Sequence, residues 1–147
     1  MGYSVAKKIG FTLLNNRTLK ENDAVMFDID DTLLYTNGYP IEDMVSLFQY
    51  CLLLGYRVVV ITARPDDSFN RRHTLTQLHL NMLFPHELHF AHPLDKSTIK
   101  EKTGLHYVLS VGDMDTDLGH SEYFIKLPDV YDSQVYSNID VNETSFL

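Results

Sequence analysis

The apolar positions of the chain follow two alternating patterns, short continuous runs and longer stretches with helical spacing. The continuous runs predict strands at residues 24–28, 56–62, 87–91, 107–111 and 123–127. The helical spacing predicts helices at residues 4–20, 41–54, 68–83 and 97–103. We expect Ser68 to cap the third helix, and Gly55 and Gly104 to end the second and the fourth.

Strands that alternate with helices are typical of an α/β fold with a doubly wound parallel sheet. We therefore predict a Rossmann-like core of about five strands in a single domain over residues 1–147, with a flexible polar tail over residues 132–147. Sheets of this kind bind ligands beyond the carboxyl ends of their strands, at the point where the strand order reverses.

Polar residues follow the predicted strands at this edge of the sheet. They are Asp28 and Asp30 after the first strand, Thr62 at the end of the second, Lys96 after the third, and Asp113 and Asp117 after the fourth. Several carboxylates that converge in one crevice repel one another unless a cation compensates them. Mg²⁺ suits this role because it takes oxygen ligands and keeps positions open for water and phosphate.

The same residues are suited to phosphoryl transfer, in which catalysis is mostly positioning and charge stabilisation. Asp28 can attack phosphorus directly and form an aspartyl-phosphate. Asp30 can protonate the leaving oxygen and then deprotonate the hydrolytic water. The Thr62 hydroxyl and the Lys96 ammonium can hold the phosphoryl oxygens as charge develops.

Four segments resemble, in order, the motifs of the haloacid dehalogenase superfamily. FDIDDTLL resembles the first motif, VVVITAR the second, DKSTIK the lysine motif, and GDMDTD the acidic fourth motif. The T-x-R triplet and the later segment FIKLPDVY resemble the acid-phosphatase branch of that superfamily (subfamily IIIB), which includes plant vegetative and bacterial class B and class C acid phosphatases. Lys100 stands where that branch often has Arg.

The resemblance implies a Mg²⁺-dependent phosphomonoesterase with Asp28 as the nucleophile and Asp30 as the acid/base. The implied metal ligands are Asp28, the main-chain carbonyl of Asp30, and Asp113, with Asp117 bound through water or placed behind the ligands. The implied phosphate-binding residues are Thr62, Ala63 and Lys96. Lys96 is favoured over Lys100 as the motif lysine because of the K-S-x-x-K spacing.

The segment between the first two motifs is short, and it bears on substrate selection. Only the loop YTNGYP and one helix lie there, so the resemblance implies a minimal or absent cap domain and an open site. The substrate would be a nucleotide or another small phosphate ester, with Asn37 and Tyr39 near its leaving group. Arg64, Arg71 and Arg72 follow the second strand and could attract an anion, but we expect them to be solvated, which is the usual state of arginines on a helix.

The charge balance and the cysteine count restrict the classes of partner. The 147 residues include 12 basic and 20 acidic side chains, a net charge of −8. Nucleic acid and anionic membrane surfaces are therefore not expected partners, and no apolar run approaches the length of a membrane span. The single cysteine, Cys51, excludes an internal disulfide and favours an intracellular, cytoplasmic protein.

Two other functions remain open on the sequence. A receiver-like signalling module also accepts a phosphoryl group on an aspartate of a doubly wound sheet, and a non-catalytic binding protein can retain the same fold. A zinc site is a weaker alternative, because His86, His89 and His92 are spaced by three residues. Exposed or hydrogen-bonded histidines are the more common outcome for such a pattern.

Overall fold

The computed structural model describes residues 2–140 of the chain. Along these residues the helices are α1 (Gly2–Asn15), α2 (Glu42–Leu54), α3 (Ser68–Leu80) and α4 (Lys96–Thr103). The strands are β1 (Asp23–Phe27), β2 (Arg57–Thr62), β3 (Glu87–Phe90), β4 (His106–Gly112), β5 (Tyr123–Lys126) and β6 (Tyr136–Ser137). Short 3-10 turns at Pro93–Asp95 and Asp115–Asp117 precede α4 and follow β4. Residues 141–147, the far part of the predicted tail, lie outside the described residues.

The strands form one sheet in the order β3-β2-β1-β4-β5-β6. Strands β1 to β5 run parallel, and β6 pairs antiparallel with β5. The predicted α/β fold with a doubly wound parallel sheet is therefore confirmed. The order reverses between the neighbouring strands β1 and β4, which is where this architecture places ligands. Strand β6 was not predicted, because its two residues are too few to show a pattern.

Burial on both faces of the sheet explains the continuous apolar runs. Residues from α1, α2 and α3 pack with Val25 and Phe27 on one face, whereas Ile99 of α4 packs with Ala24 and Met26 on the other. Successive residues of β1 thus point alternately into two cores.

Strand β4 contains one residue more than β1 over the length that they share. Ala24 pairs with Tyr107 but Val25 pairs with Leu109, so Val108 has no partner on β1. Val108 and Leu109 both enter the larger core. Beyond this bulge the two strands stay in register, so that the residues following each strand emerge side by side.

The helix ends agree with the predictions at both glycines and differ elsewhere. Gly55 and Gly104 follow α2 and α4 with left-handed φ angles of 95° and 70°. The prediction that Ser68 caps α3 was wrong, because the carboxylate of Asp67 accepts the hydrogen bond from the Asn70 N–H.

None of the helices within residues 2–140 is both long and apolar enough to span a membrane.

Candidate active site

A cavity of about 410 Å³ opens at the carboxyl ends of β1 and β4. The segments that follow β1, β2, β3 and β4 all contribute to its walls. The predicted site residues in these walls are Asp28, Asp30, Ala63, Lys96, Asp113 and Asp117. The parallel sheet thus collects at one edge residues that are far apart in the sequence.

Asp28 is the first residue after β1, and only 7% of its surface is exposed. Its main-chain N–H donates to the carbonyl of Val111 at 3.1 Å, which holds it against the end of β4. Its Oδ1 accepts a hydrogen bond from Lys96 Nζ at 2.9 Å, and its Oδ2 accepts a longer one from Thr32 Oγ1 at 3.4 Å. The carboxyl group of Asp113 also lies within hydrogen-bonding reach of Asp28. Burial raises the pKa of Asp28 to about 7, against the opposing effect of the Lys96 charge.

The Lys96 ammonium lies between two carboxylates. It donates to Asp28 Oδ1 at 2.9 Å and to Asp117 Oδ1 at 2.7 Å, and the residue is 2% exposed. Burial alone would lower the pKa of Lys96, but the two carboxylates raise it above its usual value, so the ammonium stays charged. Burial, followed by the charge of Asp28, raises the pKa of Asp117 to about 6.

Gly112, the last residue of β4, leaves the space that Asp117 occupies. A Cβ atom at position 112 would lie well inside van der Waals contact of the Asp117 Cβ and Cγ atoms. The Met114 N–H donates to Asp117 Oδ2 at 3.2 Å and holds the carboxylate in this position. The close approach of Asp117 therefore explains the glycine of the GDMDTD segment.

Lys100 is fully buried as well, but it contacts the loop behind the site. Its Nζ donates to Ser110 Oγ at 2.9 Å and to the carbonyls of Asp117 and Gly119 at 2.6 and 2.7 Å. Burial lowers the pKa of Lys100 to about 8. Of the two candidate lysines, Lys96 is the one that reaches the carboxylates, and Lys100 supports the backbone that carries Asp117.

Three carboxylates form a group that could hold a metal ion. Asp28, Asp113 and Asp117 each place one oxygen within 4.8 Å of the others. Burial raises the pKa of Asp113, as it does for its two neighbours. All the donor atoms of this group are oxygens, and Lys96 alone cannot neutralise three carboxylates. Such a group suits a hard divalent cation. The carboxylate of Asp30 is not part of this group.

Arg64 binds the carboxylate of Asp30. Its Nε and Nη2 donate to the two Asp30 oxygens at 2.9 and 2.8 Å, which is a bidentate ion pair. Its Nη1 donates to Thr74 Oγ1 at 3.0 Å and to Gln77 Oε1 at 2.7 Å, both on α3. The side chain is 13% exposed, so the expectation that Arg64 is solvated was wrong. In the sequence, the three-residue spacing of Thr74 and Gln77 indicates that they share a helix face. It does not indicate that Arg64 binds them, because that contact depends on tertiary packing.

Thr62 ends β2 and is 1% exposed. Its Oγ1 accepts a hydrogen bond from the Arg64 N–H at 3.1 Å, and the residue is not in the cavity wall. Ala63, the next residue along the chain, lines the cavity instead. In this structure the Thr62 hydroxyl therefore shapes the turn after β2.

The spaced histidines do not form a metal-binding group within the described part of the chain. His86 Nδ1 accepts a hydrogen bond from the Val58 N–H at 2.9 Å. The ring of His89 lies 2.9 Å from a Glu87 carboxylate oxygen. The structure therefore supports hydrogen-bonded histidines rather than a zinc site.

Comparison of the chain with protein-family models gives no match, and comparison with curated proteins gives none either. The function is therefore inferred from the residues and the geometry of the site.

Proposed function

We propose that the protein is a Mg²⁺-dependent phosphomonoesterase of the haloacid dehalogenase type, acting through an aspartyl-phosphate on Asp28. The observation that carries this proposal is the Lys96 ammonium, 2.9 Å from Asp28 and 2.7 Å from Asp117 where the strand order reverses. A carboxylate nucleophile beside a fixed cation and further acidic groups is what phosphoryl transfer requires. The four motif-like segments support the same conclusion.

In the first step, an oxygen of Asp28 would attack phosphorus while the bond from phosphorus to the ester oxygen breaks. The Oδ2 atom is the better candidate, because Oδ1 is engaged by Lys96 at 2.9 Å, whereas the hydrogen bond from Thr32 Oγ1 to Oδ2 is long, at 3.4 Å. Lys96, whose ammonium is fixed in a buried position, would stabilise negative charge on the transferred group without reorganising.

Asp30 would serve as the acid/base, because its carboxylate lines the same cavity. Asp30 would enter the first step protonated, with one of its two hydrogen bonds from Arg64 released, and give that proton to the leaving oxygen. In the second step its carboxylate would take a proton from the water that attacks the aspartyl-phosphate. That attack releases inorganic phosphate and restores the Asp28 carboxylate. Arg64 would position Asp30 through the bidentate pair and anchor it to α3.

The acidic group fits a Mg²⁺ ion by its chemistry, since all its donors are oxygens and its charge exceeds that of Lys96. Asp28, Asp113 and Asp117 would hold the ion. When bound, Mg²⁺ would neutralise charge on the phosphoryl oxygens. The main-chain carbonyl of Asp30 stays a proposed ligand.

The proposal includes a small phosphate ester as substrate and a cytoplasmic location. The location rests on Cys51, which is unpaired and buried. Burial raises the pKa of its thiol well above the usual range, so that an inert reduced cysteine is expected there.

A turnover assay with a generic aryl phosphate and Mg²⁺ tests the proposal. Many turnovers support a phosphatase, a single turnover indicates a receiver-like module, and none indicates a binding protein. Asp28→Asn should abolish turnover, whereas Asp43→Asn should not, since Asp43 lies on α2 and pairs with Lys7 of α1. Beryllium fluoride should form an adduct on Asp28 that mass spectrometry of the intact complex or fluorine NMR detects. Wild-type activity in Asp28→Asn would overturn the proposed mechanism.

A further inference from the structure

Strand β3 lies at one edge of the sheet, and no strand within residues 2–140 pairs with its outer side. The strand at the opposite edge, β6, has only 2 residues, whereas β3 has 4. Native proteins usually blunt an exposed edge with a very short strand, a lysine or a proline, because its free main-chain groups can pair with another chain. Neither lysine nor proline occurs within Glu87–Phe90, so β3 presents an edge that is open to pairing.

The hydrogen bonds to β2 determine which main-chain groups of β3 point outward. The Ala91 N–H donates to the carbonyl of Thr62 at 2.9 Å, and Thr62 is in register with Phe90. Alternate residues of a parallel strand bond the same neighbour, so the residues two and four positions before Ala91 also bond β2. The N–H and C=O groups of Leu88 and Phe90 therefore point away from the sheet.

The edge is apolar on the face of the sheet that α3 covers. Leu88 packs against the larger core, and a groove of about 340 Å³ lies beside Leu88, Phe90 and Leu75 of α3. Leu75 is 41% exposed, and the Arg71 guanidinium lies 5.8 Å from the centre of the Phe90 ring. Free main-chain groups beside an apolar groove are the features by which a sheet edge binds an added β-strand.

The charges along this edge are balanced within the chain. Arg57 Nε donates to a Glu87 carboxylate oxygen at 3.2 Å, and Arg71 forms an ion pair with Asp66 in the wall of the groove. The whole chain has a net charge of −8, so two copies in general repel each other. The β3 edge, where each carboxylate has an arginine beside it, is a place where a second copy meets little of that repulsion.

We propose that β3 docks against β3 of a second copy of this chain, antiparallel and about a twofold axis at His89. In this register Leu88 lies opposite Phe90 of the second copy, so every outward N–H and C=O group of the two strands has a partner. The apolar side chains of Leu88 and Phe90 also meet across the interface. Other antiparallel registers would leave Leu88 or Phe90 without a partner on β3.

The proposed pairing would form one continuous sheet from two copies of the chain. Because the paired strands run in opposite directions, the carboxyl ends of the two sheets would lie at opposite ends of the dimer. Both acidic cavities would therefore stay open to solvent. The inference does not depend on the proposed phosphatase function, and its tests do not measure catalysis.

Engineered cysteines test the register. His89→Cys would place two thiols across the axis at a non-hydrogen-bonded pair, where Cα atoms lie about 4.5 Å apart, within the range that a disulfide spans. Glu87→Cys is the matched control, because it removes the same contact between Glu87 and His89, and the two side chains are 25% and 31% exposed. Its thiols would lie about 13 Å apart, since each residue adds about 3.4 Å along a strand.

On oxidation with copper phenanthroline, denaturing gels should show a covalent dimer for His89→Cys and little for Glu87→Cys. Cys51 is buried and should not contribute. A yield no higher for His89→Cys than for Glu87→Cys would overturn the proposed pairing.

Sedimentation equilibrium measures the association of the wild-type chain. The mass should rise with concentration from 17.0 kDa toward twice that value. Phe90→Lys should weaken the association by about 10-fold or more, because an unpaired charge in an apolar contact is costly. Leu53→Lys is the matched control, since it makes the same charge change at an 80% exposed position on α2, and it should keep the wild-type dissociation constant.

Urea unfolding establishes whether Phe90→Lys is folded, and if it is not, the cysteine variants decide the question. A mass of one chain at every wild-type concentration would overturn the proposal. Equal dissociation constants for folded Phe90→Lys and Leu53→Lys would also overturn it, because the copies would then associate through another surface.

Discussion

Replacing Gly112 with Ala tests how the end of β4 positions the acidic site. The new Cβ would overlap the Cβ and Cγ atoms of Asp117. Rotation of the Asp117 side chain cannot move its own Cβ, so the backbone must shift. Overpacking of this kind costs about 1–3 kcal/mol. A shift that also breaks the buried contact between Lys96 and Asp117 would cost about 3–5 kcal/mol.

We therefore expect Gly112→Ala to lower the free energy of unfolding by about 3 kcal/mol or more. For a domain of this size, that corresponds to a fall in Tm of roughly 6–12 °C. Gly104→Ala is the matched control, since Gly104 has a positive φ of 70° but no atom within 4 Å of the added Cβ. It should cost only about 1 kcal/mol, the penalty of the left-handed conformation.

A double-mutant cycle separates the steric cause from a general loss of stability. Asp117→Gly removes the Cβ atom that Gly112→Ala would strike, so the alanine should cost much less in that background. The expected coupling is about 1–3 kcal/mol, measured by urea unfolding of the two single variants and the double variant. If Gly112→Ala were as stable as wild type, or if its cost were the same in both backgrounds, the assigned role of Gly112 would be refuted.

Three further predictions concern charge and catalysis. In chelator, the unfolding free energy should fall between about pH 4 and 7, because the folded-state pKa values of Asp28 (about 7) and Asp117 (about 6) exceed unfolded values near 4. This contribution is complete below about pH 4 and lost above pH 7; urea titrations with and without Mg²⁺ should show that the ion removes most of the fall, and a flat profile in chelator contradicts it. Arg64→Lys should lower kcat by roughly 10-fold because lysine cannot form the bidentate pair with Asp30. Arg71→Lys is the control and should not lower kcat, since Arg71 is in an exposed ion pair. Equal rates in both variants would argue against positioning of Asp30 by Arg64. Asp30→Asn should give a burst of product and then turnover slower by about 10²–10⁴-fold, and rapid-quench kinetics without a burst would exclude Asp30 as the base.

Burial on both faces of the sheet made the fold predictable from the sequence. The strands at 24–28 and 56–62 were recognisable because buried parallel strands must be apolar at consecutive positions. The cap of α3 was misplaced by one residue, since Asp67 and Ser68 are both good caps and only the backbone conformation decides between them. A sixth strand of two residues depends on pairing with β5, which no local pattern encodes.

The position of the site was predictable because parallel strands end at a common edge. Asp28, Lys96 and Asp113 were recognised from their places after strands, and the structure brings them to one cavity. Their proposed chemical roles stay predictions. The contact of Arg64 with Asp30 depends on how α3 packs, and sequence spacing carries little information about such packing.

The bulge at Val108 affects how the sequence of this chain should be aligned with those of related chains. The extra residue lies near the start of β4, at the end of the strand away from the acidic cavity. A lineage could gain or lose one residue there while keeping Asp28 beside the end of β4, because the register beyond the bulge would not change. Conversely, a loss nearer Gly112 would turn Ser110 away from Lys100. Alignments should therefore allow a one-residue gap inside this strand, where insertions are ordinarily forbidden, and should hold the segment from Leu109 to Asp117 without gaps.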